Sequence, residues 1–407
     1  MKSPSGRMAT PQIKVGRSDL ILLATVIALC LFGLLMVYSA SPDFSIFEHD
    51  GNPYYILNKQ ILWMVLGALI VAMLTRLDYH LIQRLAVPLM GLTLALLVLV
   101  LLRGEERLHS VRTLYQGSIQ PSELAKLVIV LYLAVWLYSK RDHLKDIQIG
   151  LIPLAVIVGT VGGLIYLQPD LSAAATIFIM GGLLFFLAGG DLKQILFFLL
   201  VALLIGGLVI QFSETGRHRL ADYLTGLREP LQSSDHMLYS LESIVKGGLF
   251  GQGLGNATTK LEGLPLPTTD SIFAVVVEEW GLLGAIVLIV LYGVLVWRGL
   301  KVAERAPDML GTLLAGGLTF WIAIEALINM AVLVGLLPFA GNALPFMSAG
   351  GSNLLSVLTA VGIVLNISRY QAQRPSETVV QERRSYSASV DWRGRNGRRG
   401  VSRIGRP

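Results

Sequence analysis

Apolar stretches of about 20 residues recur from Leu20 almost to Tyr370, and crossing a bilayer core roughly 30 Å thick takes about that length of helix. Hydrocarbon offers no partner for backbone N–H and C=O groups, so such stretches have to satisfy them internally as helices. The expected fold is an all-α polytopic membrane protein of about ten spans. They are expected near 20–40, 57–75, 84–102, 122–138, 150–167, 171–189, 194–212, 271–297, 310–336 and 352–369. Only 15% of the 407 residues are charged, against roughly 25% in a soluble domain, which argues against a row of soluble domains. Leu20 to Val37 is long, and Tyr38-Ser39-Ala40-Ser41 is a weak cleavage-like site, so this stretch reads as a first span and not a removable signal. Cys30 is the only cysteine, which excludes an intrachain disulfide and a cysteine-based zinc site.

Charge sets the expected orientation. An even number of spans puts 1–19 and the tail 371–407 on one side, together with Lys14, Arg17, Arg76, Arg84, Lys140, Arg141, Lys145, Lys193, Arg298, Lys301 and Arg305. The positive-inside rule makes that side cytoplasmic. The formal charge of +6 is therefore an orientation signal, and a nucleic-acid partner is not expected. The Arg-, Ser- and Gly-rich tail lacks the aliphatic residues to fold alone and is expected to be disordered; its arginines reach either solvent or anionic membrane lipids. The other side receives 43–55, 104–120, 213–269 and 338–351. In the long segment 213–269, Leu220, Tyr223, Leu227 and Leu231 stand at helical spacing, the mark of interfacial helices.

Most of the unusual polar motifs fall on that second side. In Gln120-Pro121-Ser122-Glu123-Leu124-Ala125-Lys126, Ser122 suits a helix cap, and Glu123 and Lys126 share a helix face. Opposite charges at the start of an apolar helix have to be paired or face a cavity; either they lock helix packing or they orient another ionised group. Gln168-Pro169-Asp170 falls in a very short turn between two spans, where Asp170 is placed to cap the next helix at its N-terminus. Glu325 and Asn329, four apart, are expected to face inward. Leu264-Pro265-Leu266-Pro267-Thr268-Thr269-Asp270 is a proline-stiffened approach that puts Asp270 at the mouth of a span, with Glu278 and Glu279 expected deeper in the same helix. A carboxylate there suits a general base or a cation ligand; a helix N-cap is the competing reading. The glycine-rich 247–255 lacks the Gly-Lys-Ser/Thr of a nucleotide loop and is expected to serve close backbone turns. The run 336–352, with Pro338, Gly341, Pro345, Ser348 and Gly350-Gly351-Ser352, is expected to be non-helical at membrane depth.

In this order, the motifs resemble the SEDS family, the shape, elongation, division and sporulation proteins that include FtsW and RodA. The resemblance rests on Gln-Pro-Ser-Glu-Leu-Ala-Lys at 120–126, Gln-Pro-Asp-Leu at 168–171 and Gly-Gly-Leu-Phe-Gly-Gln-Gly-Leu-Gly at 247–255. It continues through Thr269-Asp270, Glu279, Asn329, Gly335-Leu336-Leu337-Pro338, Leu344-Pro345-Phe346 and Gly350-Gly351-Ser352. The chain departs from the pattern at Arg112-Thr113, where many members carry Arg-Trp, and at Leu266-Pro267-Thr268 and Ser172-Ala173. The basic tail tilts the reading slightly toward the FtsW-like branch.

The resemblance implies a peptidoglycan glycosyltransferase that polymerises lipid II, the undecaprenyl-pyrophosphate-linked disaccharide-peptide, outside the bacterial cytoplasmic membrane. It carries the family's essential aspartate onto Asp270 and its charged pair onto Glu123 and Lys126. Asp270 would accept a proton from the attacking sugar hydroxyl or hold a divalent cation, Mg or Mn. Arg219, Asp170, Glu279, Asn329 and Ser352 are the candidates for binding substrate or pyrophosphate. A class B penicillin-binding protein is the implied partner. Two other classes compete with an inverting glycosyltransferase. A lipid II flippase expects its functional charges near the membrane midplane, and a recruiting scaffold leaves them without a purpose.

Overall fold

The computed structural model describes residues 14–48, 51–103, 105–107, 110–113 and 120–371. The sequence readings of 1–13, of the link at 117–119 and of the basic tail beyond 371 lie outside the described residues. The fold is an all-α polytopic membrane bundle. The chain runs through α1 (Leu20–Ala40), short α2 (Pro42–Glu48), α3 (Tyr55–Leu74), α4 (Leu81–Arg103) and α5 (Pro121–Lys140). After α6 (Leu151–Tyr166), α7 (Leu171–Leu187) and α8 (Leu192–Phe212) come α9 (Glu214–Arg228), α10 (Asp235–Gly247) and the single turn α11 (Thr259–Glu262). Helices α12 (Ile272–Arg305), α13 (Met309–Leu333) and α14 (Gly351–Arg369) complete the bundle. Two small antiparallel ribbons join β1 (Lys14–Val15) to β4 (Tyr370–Gln371), and β2 (Glu105–Arg107) to β3 (Ser110–Thr113).

Eight of these helices are long and apolar enough to cross a membrane. Helices α6 and α7 are apolar but only 16 and 17 residues long, roughly 25 Å at 1.5 Å per residue; counting them gives the expected ten. Aspartate side chains start four of the helices by accepting an otherwise orphaned backbone N–H: Asp19 from Leu22, Asp170 from Ala173, Asp191 from Lys193 and Asp308 from Gly311. Helix α13 lies at the centre, packed against α5, α7, α12 and α14, with the Trp321 side chain fully buried. The leucines of α8 stay exposed, as hydrocarbon solvent permits.

Two expectations are corrected. The span expected at 271–297 is not one helix, because Gly281 (φ 65°, ψ −166°) breaks α12. Residues 272–280 form a short helical segment, buried up to Glu279 with Trp280 exposed, and the long helix starts at Leu282. The break exists because two chain segments meet backbone to backbone: the amides of Gln252 and Gly253 donate to Glu278 and Glu279 oxygens, and that of Leu282 to Gly248. A Cβ at Gly251 would lie 2.2 Å from the Glu279 oxygen, so the glycine-rich run does make the expected close turns. The second correction concerns Ser122. Helix α5 already begins at Pro121, so Ser122 is not its cap; its hydroxyl donates to Asp170 at 3.3 Å.

Candidate active site

Asp270 is held at one end of the bundle by its backbone. Leu266 takes a left-handed conformation (φ 51°) and its carbonyl accepts from the amides of Thr269 and Ser271, curling the proline-stiffened segment into a tight turn. The next three carbonyls are each clamped from elsewhere. Thr268 O accepts from the Ala349 amide at 2.8 Å, Thr269 O from Ser348 Oγ at 2.7 Å, and Asp270 O from Asn329 Nδ2 at 2.8 Å. Asn329 Nδ2 also reaches Asn342 O at 2.6 Å, so one buried amide ties α13 to both segments. The helix cap falls on Ser271, which leaves the competing cap reading of Asp270 without support. Gly341 (φ 60°) faces the carboxylate: a Cβ there would stand 3.5 Å from Asp270 Oδ2.

A cavity of about 140 Å³ adjoins this turn, walled by Arg219 and Tyr223 of α9, His236 of α10, and Phe339. His236 stacks on Phe339 at 3.8 Å between ring centres, and the Arg219 guanidinium lies 5.5 Å from the same ring. His236 Nδ1 is 3.4 Å from Ser271 Oγ, one residue from Asp270. Burial, reinforced by the Arg219 charge, pushes the His236 imidazole down to about 4. The ring is neutral at pH 7, and Arg219 is the cation in the cavity wall. Tyr223 OH donates to Leu336 O at 3.0 Å, fixing α9 to the loop after α13.

The charged pair of α5 forms as the spacing implies, with Lys126 Nζ 2.9 Å from Glu123 Oε1. Lys126 also binds Glu325 of α13, and Asn353 Nδ2 of α14 donates to Glu123 Oε2 at 2.8 Å. Three helices are thus joined by one buried polar cluster. Ser352 Oγ accepts from the Gln120 amide at 3.2 Å, and Asp170 Oδ2 from Gln120 Nε2 at 3.3 Å, so α7 and α14 both meet the start of α5.

Glu278 and Glu279 do not run deeper into the membrane. Both precede the break at Gly281, and Glu279 sits beside Ser39 at the end of α1. Glu278 accepts from the Thr258 and Thr259 amides at 2.8 and 3.3 Å. Glu279 accepts from Ser39 Oγ and pairs with Lys260 at 3.2 Å. These contacts belong to the turns that hold 247–262 against α12. No local pattern marks His236, Phe339 or Lys260, and the sequence places Ser348 only in the non-helical run 336–352, since each acquires its role through a partner distant in the chain.

Among the described residues no three of His, Cys, Asp and Glu gather as a metal cage. The Asp270 carboxylate by itself supplies too few oxygens for an all-protein divalent site, so a cation held there would need the phosphate oxygens of a substrate as further ligands.

Comparison with known proteins agrees with this architecture. A family model described as "Cell cycle protein", FtsW/RodA/SpoVE, matches residues 19–373. The chain belongs to this family. A probable peptidoglycan glycosyltransferase FtsW of Trichlorobacter lovleyi is 38% identical over 361 residues, covering 87% of this chain and 94% of its own. Stage V sporulation protein E of Bacillus subtilis is 36% identical over 357 residues, covering 86% and 97%. Among solved structures, a chain of a peptidoglycan synthase complex that coordinates polymerization and crosslinking superposes with a TM-score of 0.71 at 28% identity, covering 86% of this chain and 98% of that one. The rod shape determining protein RodA of Thermus thermophilus superposes at 0.65 and 28% identity, covering 88% and 98%. This FtsW/RodA/SpoVE member therefore shares its relatives' fold over nearly their whole length.

Proposed function

We propose that this protein is a peptidoglycan glycosyltransferase that polymerises lipid II at the outer face of a bacterial cytoplasmic membrane, with both termini cytoplasmic. The observation that carries the reading is the clamped turn: three successive carbonyls tied down so that the Asp270 carboxylate is presented beside a cavity walled by Arg219. A sugar 4-hydroxyl attacks the anomeric carbon of a second lipid-linked saccharide. Its proton passes to Asp270, the new C–O bond forms as the bond to pyrophosphate breaks, and undecaprenyl pyrophosphate leaves with its charge met by Arg219. Bound with the substrate's phosphates, Mg or Mn on Asp270 would supply further neutralisation. Asn329 acts by positioning Asp270; Asp170, Ser352 and the Glu123–Lys126 pair shape the same end of the bundle. Glu279, committed to Ser39 and Lys260, is the weakest of the substrate-binding candidates. A class B penicillin-binding protein, supplying the cross-linking step, is the partner that fits a polymerase of this kind.

The test is lipid II polymerisation by purified protein with Asp270→Asn. General-base contributions run to about 10²–10⁴-fold, so a loss of that order with folding intact is expected. An active Asp270→Asn variant sinks the catalytic assignment. Lipid II translocation in liposomes without any polymer from the unmodified protein would move the reading to the flippase.

A further inference from the structure

The described residues enclose a second cavity, of about 320 Å³, where the start of α1 meets the ends of α12 and α14. It lies at the end of the bundle opposite Asp270 and has no part in the chemistry above. Arg17, Arg298, Lys301 and Arg305 are in its wall, against one carboxylate, Asp19. That carboxylate is already engaged: Oδ1 caps α1 by accepting from the Leu22 amide at 3.0 Å, and Oδ2 takes the Arg298 Nε at 3.0 Å. The charge of Arg17, Lys301 and Arg305 therefore stands in excess over the acids that line the cavity.

Its depth is marked by Trp297, half exposed on α12, whose ring receives Lys301 Nζ at 3.9 Å and the Arg298 guanidinium at 5.3 Å. Exposed Ile286, Ile289 and Val290 precede it along the same helix. An amphipathic ring that follows a lipid-facing apolar stretch sits at headgroup level. Exposed Leu20 and Ile21 complete the cavity wall, apolar surface that suits glycerol and the upper acyl carbons and does nothing for a free anion.

We propose that this cavity binds the phosphate of an anionic phospholipid headgroup, with Lys301 and Arg305 as the principal contacts and Arg17 closing the site. Basic pockets between transmembrane helices take such headgroups by charge. Phosphatidylglycerol is the probe, phosphatidylcholine its zwitterionic control, and native mass spectrometry of the full chain the readout. Unmodified protein is expected to retain phosphatidylglycerol over phosphatidylcholine. A Lys301→Gln/Arg305→Gln variant should lose on the order of thirtyfold of that preference, roughly fivefold per basic side chain. A Lys140→Gln/Arg141→Gln variant, altered at the same end of the bundle but outside the cavity, should keep it. Arg298 is left intact because its pairing with Asp19 holds α1. If the double variant fails to fold, Arg305→Gln alone, on an exposed side chain, should still lose roughly fivefold. Equal retention of the two lipids, equal loss in both double variants, or displacement of the lipid by millimolar inorganic phosphate would each overturn the proposal, the last by making it a free-phosphate site.

Discussion

Lys126 on α5 and Glu325 on α13 are 199 positions apart, yet they form a buried ion pair in the middle of the helix packing. Glu123 binds the same ammonium, so the cluster carries two carboxylates on one cation. Lys126→Met leaves both acids buried and unpaired, and breaking such a pair costs about 3–5 kcal/mol. Glu325→Gln should cost less, because Glu123 still balances Lys126. Thermal unfolding in detergent, followed by size-exclusion recovery, should rank Lys126→Met well below Glu325→Gln; equal melting would mean that the cluster does not hold the helices together.

That cluster also marks how far the sequence could be read. Glu123 and Lys126 are three apart on one helix face, a local relation, and Asp170 follows a short turn where a cap is expected. Glu325 was expected to face inward, but its partner could not be named, because helix order in space is not written in the spacing of one helix. The break at Gly281 was invisible for a similar reason. A glycine inside an apolar run is compatible with a continuous helix, and only docking against Gly251 forces it out of helical geometry. The clamps on Asp270 come from 329–349, so the position of the carboxylate was legible and its rigid support was not.

The backbone contact between 247–253 and the α12 break depends on glycine at both sides. Gly251 has φ 81°, and a Cβ there would meet the Glu279 oxygen at 2.2 Å. Gly251→Ala is expected to lower folded yield sharply. Gly207→Ala, in α8 with open space around its Cβ position, should be neutral or stabilising by up to about 1 kcal/mol through helix propensity. Expression of both as fluorescent fusions measures the contrast; matching yields would remove the packing argument.

At the other end of the bundle His80 lies 2.6 Å from Asp78 and 2.8 Å from Asp308. Burial lowers its proton affinity, but hydrogen bonds to the two carboxylates outweigh that and raise it above the ordinary value. A group held more basic in the folded state stabilises it fully below its unfolded value, about 6.5, and loses that contribution as pH rises through the folded one. Melting temperature should therefore fall between mildly acidic and alkaline pH by more in the unmodified protein than in His80→Ala. The difference will be small because the site is part-exposed. Parallel pH profiles would contradict it.

The proposed orientation puts 213–269 outside the cell and the α5–α6 turn inside. With buried Cys30 replaced by alanine, an impermeant maleimide applied to intact cells should label a cysteine at Gln232 and leave one at Lys140 unlabelled until lysis. Both positions are exposed. The reverse pattern would place Asp270 on the cytoplasmic side, where polymerisation of an exported glycan makes no chemical sense.

Asn329 gives the sharpest test of how Asp270 is held, because its amide makes both links from α13, to Asp270 O at 2.8 Å and to Asn342 O at 2.6 Å. Asn329→Ala removes both donors and leaves two carbonyls short of partners, at about 1–3 kcal/mol each. Some of that cost falls on stability, so the informative quantity is polymerisation per folded molecule. A positioning role predicts a fall in kcat of at least tenfold with KM for lipid II little changed, since the carboxylate would be present but no longer aimed. Asn329→Gln retains the amide on a longer arm and should recover part of the rate, whereas Asn329→Asp, which keeps the shape but loses the N–H donors, should not. A uniform rise in KM across the three variants would instead make Asn329 a substrate contact, and the clamped turn would then owe its rigidity to Ser348 and the Ala349 amide alone.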